Sequence, residues 1–578
     1  MIMRFSQVFN SETKGITSAA ALVGISSAIS ALLGIVRDRL LASRFGASAE
    51  LDVYLAAFRI PDFVYGIIIV GGITAAFLPV FSEYFQKGES ANEKLDKKTW
   101  PLSVLELTNN VLNCFSLLLI GLCLVLFIFA PRLIDFIAPG FSIGQKSLTV
   151  KLMRIMFLSP FLLGISNIIS DILQYFNRFL AFSLAPIFYN LGIISGIIFF
   201  VPHFGLLGLA YGVIGGALMH LLVQLPSAFD AGYRYQIKLD FHHLGLIKIF
   251  KLMVPRFFGQ ATYHLNLVTI TAIASTFSAG SIAIFNFSNN LQFFPITLIS
   301  VSFATAAFPL LTKAWANGRK DEFLASISSA IRQTIFFIIP ISFLFFLLRA
   351  QIVRLILGSG KFSWSDTRLT AASLGIFSFG LVASSLVPLL TRAFFAIKDT
   401  KTPVIISMVT VSLNILFALS FVPLMSLIVR AGHGTLWESI KNFFDIEKLT
   451  NVEVLSLPLA LSLSTIIQGF LLSKFLLRMI KRGNHWEKNQ WEKTKREIAN
   501  SFKTATFSSL VMSVFVYFAL RITVSFVDMK TFIGVFLQTL IAGTAGVLIY
   551  FLSSWLVKSP ELMAAKSLFI NRFVKNDR

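Results

Sequence analysis

Apolar residues come in long runs along this chain, and the polar positions gather between them. About fourteen runs are long enough to cross a bilayer, at roughly 16–36, 60–82, 104–130, 152–175, 183–201, 205–228, 246–277, 282–311, 330–348, 370–396, 403–424, 455–478, 504–524 and 532–557. A hydrocarbon core about 30 Å thick needs about 20 apolar residues in a helix, and the pattern repeats that length throughout. It predicts an all-α polytopic membrane protein. The first run ends at Arg37-Asp38-Arg39, charges at the edge of a span where burial is costly.

A repeat within the runs predicts how they are arranged. The second run ends Ala75-Ala76-Phe77-Leu78-Pro79, then Ser82, Phe85 and Gly88; the eighth ends Thr305-Ala306-Ala307-Phe308-Pro309, then Thr312, Trp315 and Gly318. Tyr175-Phe176 upstream of Pro186 is echoed by Phe394-Phe395 upstream of Pro403. Each echo lies about six spans on with the same inside–outside sense, as in a transporter built from two parallel six-helix halves. The expected organisation is a first lobe at 1–230, a second at 231–480, a basic loop at 481–503, two appended spans within 504–557 and a basic tail at 558–578. Between runs eleven and twelve, Trp437 and Ile440 separate from Glu438, Lys441 and Asp445 as on an amphipathic surface helix.

Composition agrees with the membrane assignment: 56% of residues are hydrophobic, only 13% are charged and mean hydropathy is +0.77. The net charge of +22 would suggest nucleic acid in a soluble chain. Here the excess follows topology. About 32 of the 50 Lys and Arg fall in the N-terminus, the even-numbered loops and the C-terminus, against about 17 in the odd-numbered loops. The positive-inside rule then puts both termini in the cytoplasm, and no nucleic-acid motif accompanies the charge. Cys114 and Cys123 lie nine residues apart in one apolar run, on nearly opposite helix faces, which argues against a disulfide or a metal site. The first run is too long for a cleaved signal sequence and is expected to remain a span.

No P-loop and no H-E-x-x-H occurs, and no G-x-S-x-G stands at a strand–helix junction, so neither ATP hydrolysis nor hydrolase chemistry is expected, and no cofactor is implied. What remains is polar residues at membrane depth. Arg37, Asp38, Arg39 and Arg44 follow the first run; Asp52, Arg59 and Asp62 lead into the second. Arg256, His264 and Asn266 occupy the seventh, and Asn286, Asn289, Asn290 and Gln292 the eighth. Asn167, Asp171, Asn177, Arg178 and Asn190 lie around the fourth and fifth. Such residues face a bundle interior or a wet cavity. Ion pairs at helix ends and interhelical hydrogen bonds are the plain structural uses. The functional use is a cavity between the lobes, lined by cations. Guanidinium groups hold phosphate through fixed, paired hydrogen bonds, so Arg37, Arg39, Arg59 and Arg256 suit a pyrophosphate head whose lipid tail stays in the bilayer. A cation-expelling antiporter would instead want buried carboxylates.

The segment Leu32-Leu33-Gly34-Ile35-Val36-Arg37-Asp38, with Phe45-Gly46-Ala47, Asp52, Phe58 and Pro61, resembles the N-terminal signature of the MurJ/MviN family, the lipid II flippases of the multidrug/oligosaccharidyl-lipid/polysaccharide exporter superfamily. Asn177-Arg178-Phe179 with Pro186 and Asn190, Phe308-Pro309, Gly360-Lys361-Phe362 and 398–403 (KDTKTP) follow in order, so the resemblance covers about 1–480. It implies two six-helix lobes around a V-shaped central cavity, alternating access and export of lipid-linked peptidoglycan precursor across the bacterial cytoplasmic membrane. Membrane lipids and cell-wall synthesis proteins are the implied neighbours. Membrane potential or a Na+ or H+ gradient could drive the cycle.

Arg37, Asp38 and Asp52 carry over from the family pattern. The family usually has Arg at Ala31, an Arg pair at Tyr65-Gly66, Glu at Val70 and Arg at Asn290. Arg59 and Arg256 are the expected compensation. The readings weighed are a lipid II flippase, a flippase for another undecaprenyl-pyrophosphate-linked glycan, a cation-coupled drug antiporter, and a non-transporting membrane scaffold.

Overall fold

The structure, a computed structural model, describes residues 16–91, 100–430, 451–482 and 488–563. The surface helix expected between runs eleven and twelve and most of the basic tail lie outside these residues. Among the described residues thirteen helices are long and apolar enough to span a membrane. They are α1 (Ala21–Phe45), α2 (Ala49–Gly88), α3 (Leu102–Ile137), α4 (Ile143–Tyr175), α5 (Phe179–Phe204), α6 (Leu207–Asp230), α8 (Ser281–Ala316), α9 (Lys320–Leu347), α10 (Trp364–Ala396), α11 (Lys401–Met425), α12 (Val452–Ile480), α13 (Glu492–Thr523) and α14 (Phe532–Leu556). The expected seventh span, α7, is a helix of 32 residues, Leu244–Ser275, in its predicted place. It falls short in apolarity because Gln260, His264 and Asn266 interrupt it.

The chain forms two compact units, Met1–Ala283 and Ile284–Arg578. The sequence places the lobe boundary at 230 and 231 by counting spans. The contacts fall otherwise: α7 packs on α2 and α3, so it belongs with the first unit. The basic stretch expected as a loop at 481–503 is helical from residue 488, in a rod of 36 residues, Lys488–Thr523. Its Lys, Glu, Gln and Arg residues are good helix formers, so the helix continues past its apolar part.

Each unit contains the same local devices, which gives the sequence repeat a structural content. Both α2 and α8 widen in mid-span into π-helix, over Tyr65–Ile73 and Ile296–Val301, before the helix that carries Pro79 or Pro309. A π-turn opens the i→i−4 ladder, and neighbouring helices must cover the freed backbone. Both α4 and α10 end on a non-glycine residue in the left-handed region, Asn177 (φ 56°) and Lys398 (φ 64°). In each case the next amide reaches back five residues, from Arg178 to the Leu173 carbonyl (2.9 Å) and from Asp399 to that of Phe394 (3.0 Å). These are Schellman caps.

Small residues set the closest packing in the first unit. Gly192 and Gly196 on α5 meet Gly212 and Gly216 on α6: a Cβ at Gly192 would lie 2.2 Å from the Gly216 Cα, and one at Gly196 would lie 2.5 Å from the Gly212 Cα. Spaced four apart on both helices, these glycines let the backbones touch, which is how membrane helices gain dispersion contacts when lipid supplies no hydrophobic drive. Beside them Ser166, Ser170, His220 and Gln224 form a buried polar cluster between α4 and α6, with Ser166 Oγ 2.7 Å from His220 Nδ1 and the Ser170 hydroxyl donating to Gln224 Oε1 at 2.7 Å. In the second unit α10 packs on α12, and α9 on α13. The appended helices are tied in through Glu561, which accepts from the Ser559 hydroxyl (2.8 Å) and pairs with Arg332 of α9 (3.4 Å).

Candidate functional site

Arg37 sits two turns before the end of α1, which Gly46 terminates with φ 69°. Its Nε and Nη2 donate to one Asp38 oxygen, at 3.0 and 2.8 Å, and its Nη1 donates to the Asn190 carbonyl oxygen on α5 at 3.3 Å. Asn190 is itself fixed, donating to Ser30 Oγ at 3.1 Å and to the Pro186 carbonyl at 3.2 Å. The guanidinium is therefore aimed by two helices, with 26% of its side chain exposed against 11% for Asp38. Three of its five N–H donors are occupied in these contacts. Arg39, half-buried, is two residues further on and so points about 200° away around the helix.

A second cluster joins α2 to α7. Arg59 Nε donates to Thr271 Oγ1 at 2.8 Å, and one turn on Asp62 lies 3.8 Å from His264 Nδ1. The two pairs run antiparallel, as α2 descending past α7 requires. The seat for His264 is Gly66: a Cβ there would fall 1.8 Å from the imidazole Nε2. Gly71 and Gly72 meet Gln260 and Met253 in the same way, each at 2.7 Å. The three glycines of the π-helical stretch thus form a trough that takes one face of α7. A side chain at position 66 and the imidazole cannot share that space. Gly66→Ala is expected to cost about 1–3 kcal/mol by overpacking, seen as a lower unfolding midpoint in detergent, and the cost should vanish in a Gly66→Ala/His264→Ala double variant.

Asp52 is elsewhere engaged. It is 3% exposed, and its two oxygens accept from the amides of Gly280 (2.7 Å) and Ala283 (2.8 Å) at the start of α8. A carboxylate on the first free amides of a helix satisfies them and complements the helix dipole. Its geometry is that of a fastening. Asp52→Ala leaves two buried amides without an acceptor, at about 1–3 kcal/mol each, and should lower the unfolding midpoint far more than Asp52→Asn.

Of the other expected residues, Arg256 lies on α7 but its side chain is outside those described. Asn289 on α8 is buried and accepts from Gln292 Nε2 at 3.1 Å; Asn290 follows it on the same helix, and both belong to the second unit. The structure joins Arg37, Asp38 and Asn190 in one cluster and Arg59, Asp62 and His264 in another. Arg37 and Arg59 each have a carboxylate beside them, Asp38 and Asp62. Arg178 is 7% exposed and pins α5 to the end of α6 through Asp230 (2.8 Å) and the Ser227 carbonyl (2.9 Å). Asp171 on α4 is buried, with one oxygen lacking a hydrogen-bond partner.

Two helical units with mid-span π-turns and charged residues within their spans define a polytopic helical membrane protein. A solved structure described as "Lipid II flippase MurJ, inward closed conformation" superposes with a TM-score of 0.69 over 96% of this chain and 100% of that one, at 23% identity. An inward-facing multidrug resistance MATE family transporter of the MOP superfamily follows at 0.58, over 79% of this chain and 96% of that one, at 15% identity. The sequence model described as "Lipid II flippase MurJ" matches residues 41–432, well over half the chain, and the chain belongs to that family. It is 32% identical over 396 residues to the probable lipid II flippase MurJ of Buchnera aphidicola subsp. Acyrthosiphon pisum (strain APS), covering 68% of this chain and 75% of that protein. It is 28% identical over 436 residues to the lipid II flippase MurJ of Burkholderia cenocepacia, covering 73% and 81%. The match spans Asp52, Arg59, Arg256, Asn289 and Asn290; Arg37, Asp38 and Arg39 stand just before it.

Proposed function

We propose that this chain is a lipid II flippase, moving the lipid-linked peptidoglycan precursor from the inner to the outer leaflet of the bacterial cytoplasmic membrane by alternating access, with no covalent step. Family membership across residues 41–432 is the observation that carries this reading. Arg37 is the residue assigned to the pyrophosphate. Its fork is already oriented by Asp38 and Asn190 and keeps two N–H donors for ligand oxygens, and partial exposure leaves them reachable. Arg39 and Arg59 are the further cations of the site. Asp38 sets the angle of the fork, and Asp52 has a positioning role. Arg256 is assigned with these arginines to the pyrophosphate, and Asn289 and Asn290 are the substrate-binding residues assigned within the second unit. His264 is added to the set: it is the basic group seated at Gly66, where the family usually carries arginine.

Both termini are assigned to the cytoplasm on the charge distribution of the loops. Membrane lipids and cell-wall synthesis proteins are the proposed surroundings. The test is complementation: this chain, expressed in a bacterium depleted of its own lipid II flippase, should restore growth and shape. Lysis with the protein inserted at normal level contradicts the reading. Resistance to cationic dyes without rescue would favour the antiporter alternative.

A further inference from the structure

In the first unit, α3, α4 and α6 diverge around a cavity of about 590 Å³ whose lining includes Leu117, Ile165, Leu221, Tyr235, Ile237 and Leu239. That volume lies in the range of small-ligand sites, about 300–1,000 Å³. None of its lining residues is charged, and the polar ones are Asn113, Ser116 and the tyrosine hydroxyls. A sugar, nucleotide or charged peptide would lose its hydration there without replacement.

The roof of the cavity is the non-helical stretch 233–240, held by three asparagines of α3. Asn109 donates to the Arg234 carbonyl (2.9 Å) and accepts from the Gln236 amide (3.1 Å). Asn113 donates to the carbonyls of Gln236 (3.0 Å) and Lys238 (3.1 Å), and Asn110 exchanges two bonds with the Asp240 backbone (2.7 and 2.6 Å). These amides do for the stretch what a neighbouring strand would do, giving partners to its backbone groups. Its side chains alternate. Tyr233, Tyr235, Ile237 and Leu239 line the cavity, while Arg234 and Lys238 are absent from the lining and exposed. Ile237 is 84% exposed, an apolar surface that needs a covering. Lys238 pairs with Glu106 at 3.0 Å, but Arg234 bonds backbone carbonyls, those of Phe229 and Tyr233, and keeps its charge for an anion.

We propose that this cavity holds one acyl chain of an anionic phospholipid, with the headgroup phosphate on Arg234. The apolar lining takes the chain, and basic residues at a membrane surface attract anionic lipid. One straight chain suits the volume better than a long branched polyprenyl tail, so the occupant is a bulk lipid and not the transported one.

The full chain, purified in detergent and placed in nanodiscs of phosphatidylglycerol with phosphatidylcholine, tests this by native mass spectrometry. The unmodified chain should keep one phosphatidylglycerol through delipidation. Ser116→Trp, which fills the cavity, and Arg234→Glu, on an exposed residue, should each cut retention at least tenfold, and Ser116→Ala should keep it. Phosphatidylglycerol should raise the unfolding midpoint of the unmodified chain and of Ser116→Ala, but not that of Arg234→Glu. Equal retention of phosphatidylcholine, undiminished retention in Arg234→Glu, or displacement by an added polyprenyl pyrophosphate would each overturn the proposal.

Discussion

Replacing Arg37 with alanine is expected to abolish rescue of a flippase-depleted bacterium while the protein still inserts and folds. The guanidinium is held by partners from two helices, Asp38 beside it and Asn190 across on α5. A charge-assisted hydrogen bond to a phosphate oxygen is worth about 1.5–3 kcal/mol, and two of them lost correspond to a slowing of at least a hundredfold. Arg37→Lys separates charge from geometry: an ammonium keeps the charge but not the planar fork, so it should retain partial rescue. Asn190→Ala leaves the charge in place and removes one of its two guides, and should weaken rescue without ending it. Wild-type growth with Arg37→Ala would remove Arg37 from the site.

The largest structural effect is expected for Gly212→Val. A Cβ at this position would stand 2.7 Å from the Gly196 Cα and 3.2 Å from the Gly192 carbonyl oxygen, which are backbone atoms with no rotamer to yield. The clash must separate α5 from α6, and with them the helix that carries Asn190. The cost is at least the ~1–3 kcal/mol of an overpacked core, and the folded yield should fall sharply in size-exclusion profiles. Gly215, three residues on along the same helix, has nothing within 4 Å of its Cβ position, so Gly215→Ala should leave yield and unfolding midpoint unchanged. Equal behaviour of the two variants would show that the glycine contact does not hold this helix pair together.

The helix count was legible because each bilayer crossing leaves an apolar run, and α7 shows the limit of that signal, since Gln260, His264 and Asn266 interrupt its run. The repeat was legible through Pro79 and Pro309, yet the π-turns preceding them were not, since a widened turn has no residue signature: Tyr65–Ile73 holds three glycines and Ile296–Val301 none. Gly66 illustrates what a single sequence hides. Its bare backbone reads as a lost arginine, and only the fold shows His264, far along the chain, filling the place. Asp52 was recognisable as an important carboxylate, but its partners are backbone amides, which carry no side-chain mark. The boundary after Ala283 follows from where α7 packs, and span counting does not reveal packing. Asn109, Asn110 and Asn113 went unread because amides on a helix signal nothing until the loop they hold is known.

The most direct measurement is translocation of fluorescent lipid II by the purified chain in liposomes, followed by chemical quenching of the outer leaflet. The account predicts quenching beyond that of empty liposomes for the unmodified chain, and the empty-liposome level for folded Arg37→Ala. Quenching by the unmodified chain no greater than that of empty liposomes, under conditions where a lipid II flippase of the same family is active, would contradict it.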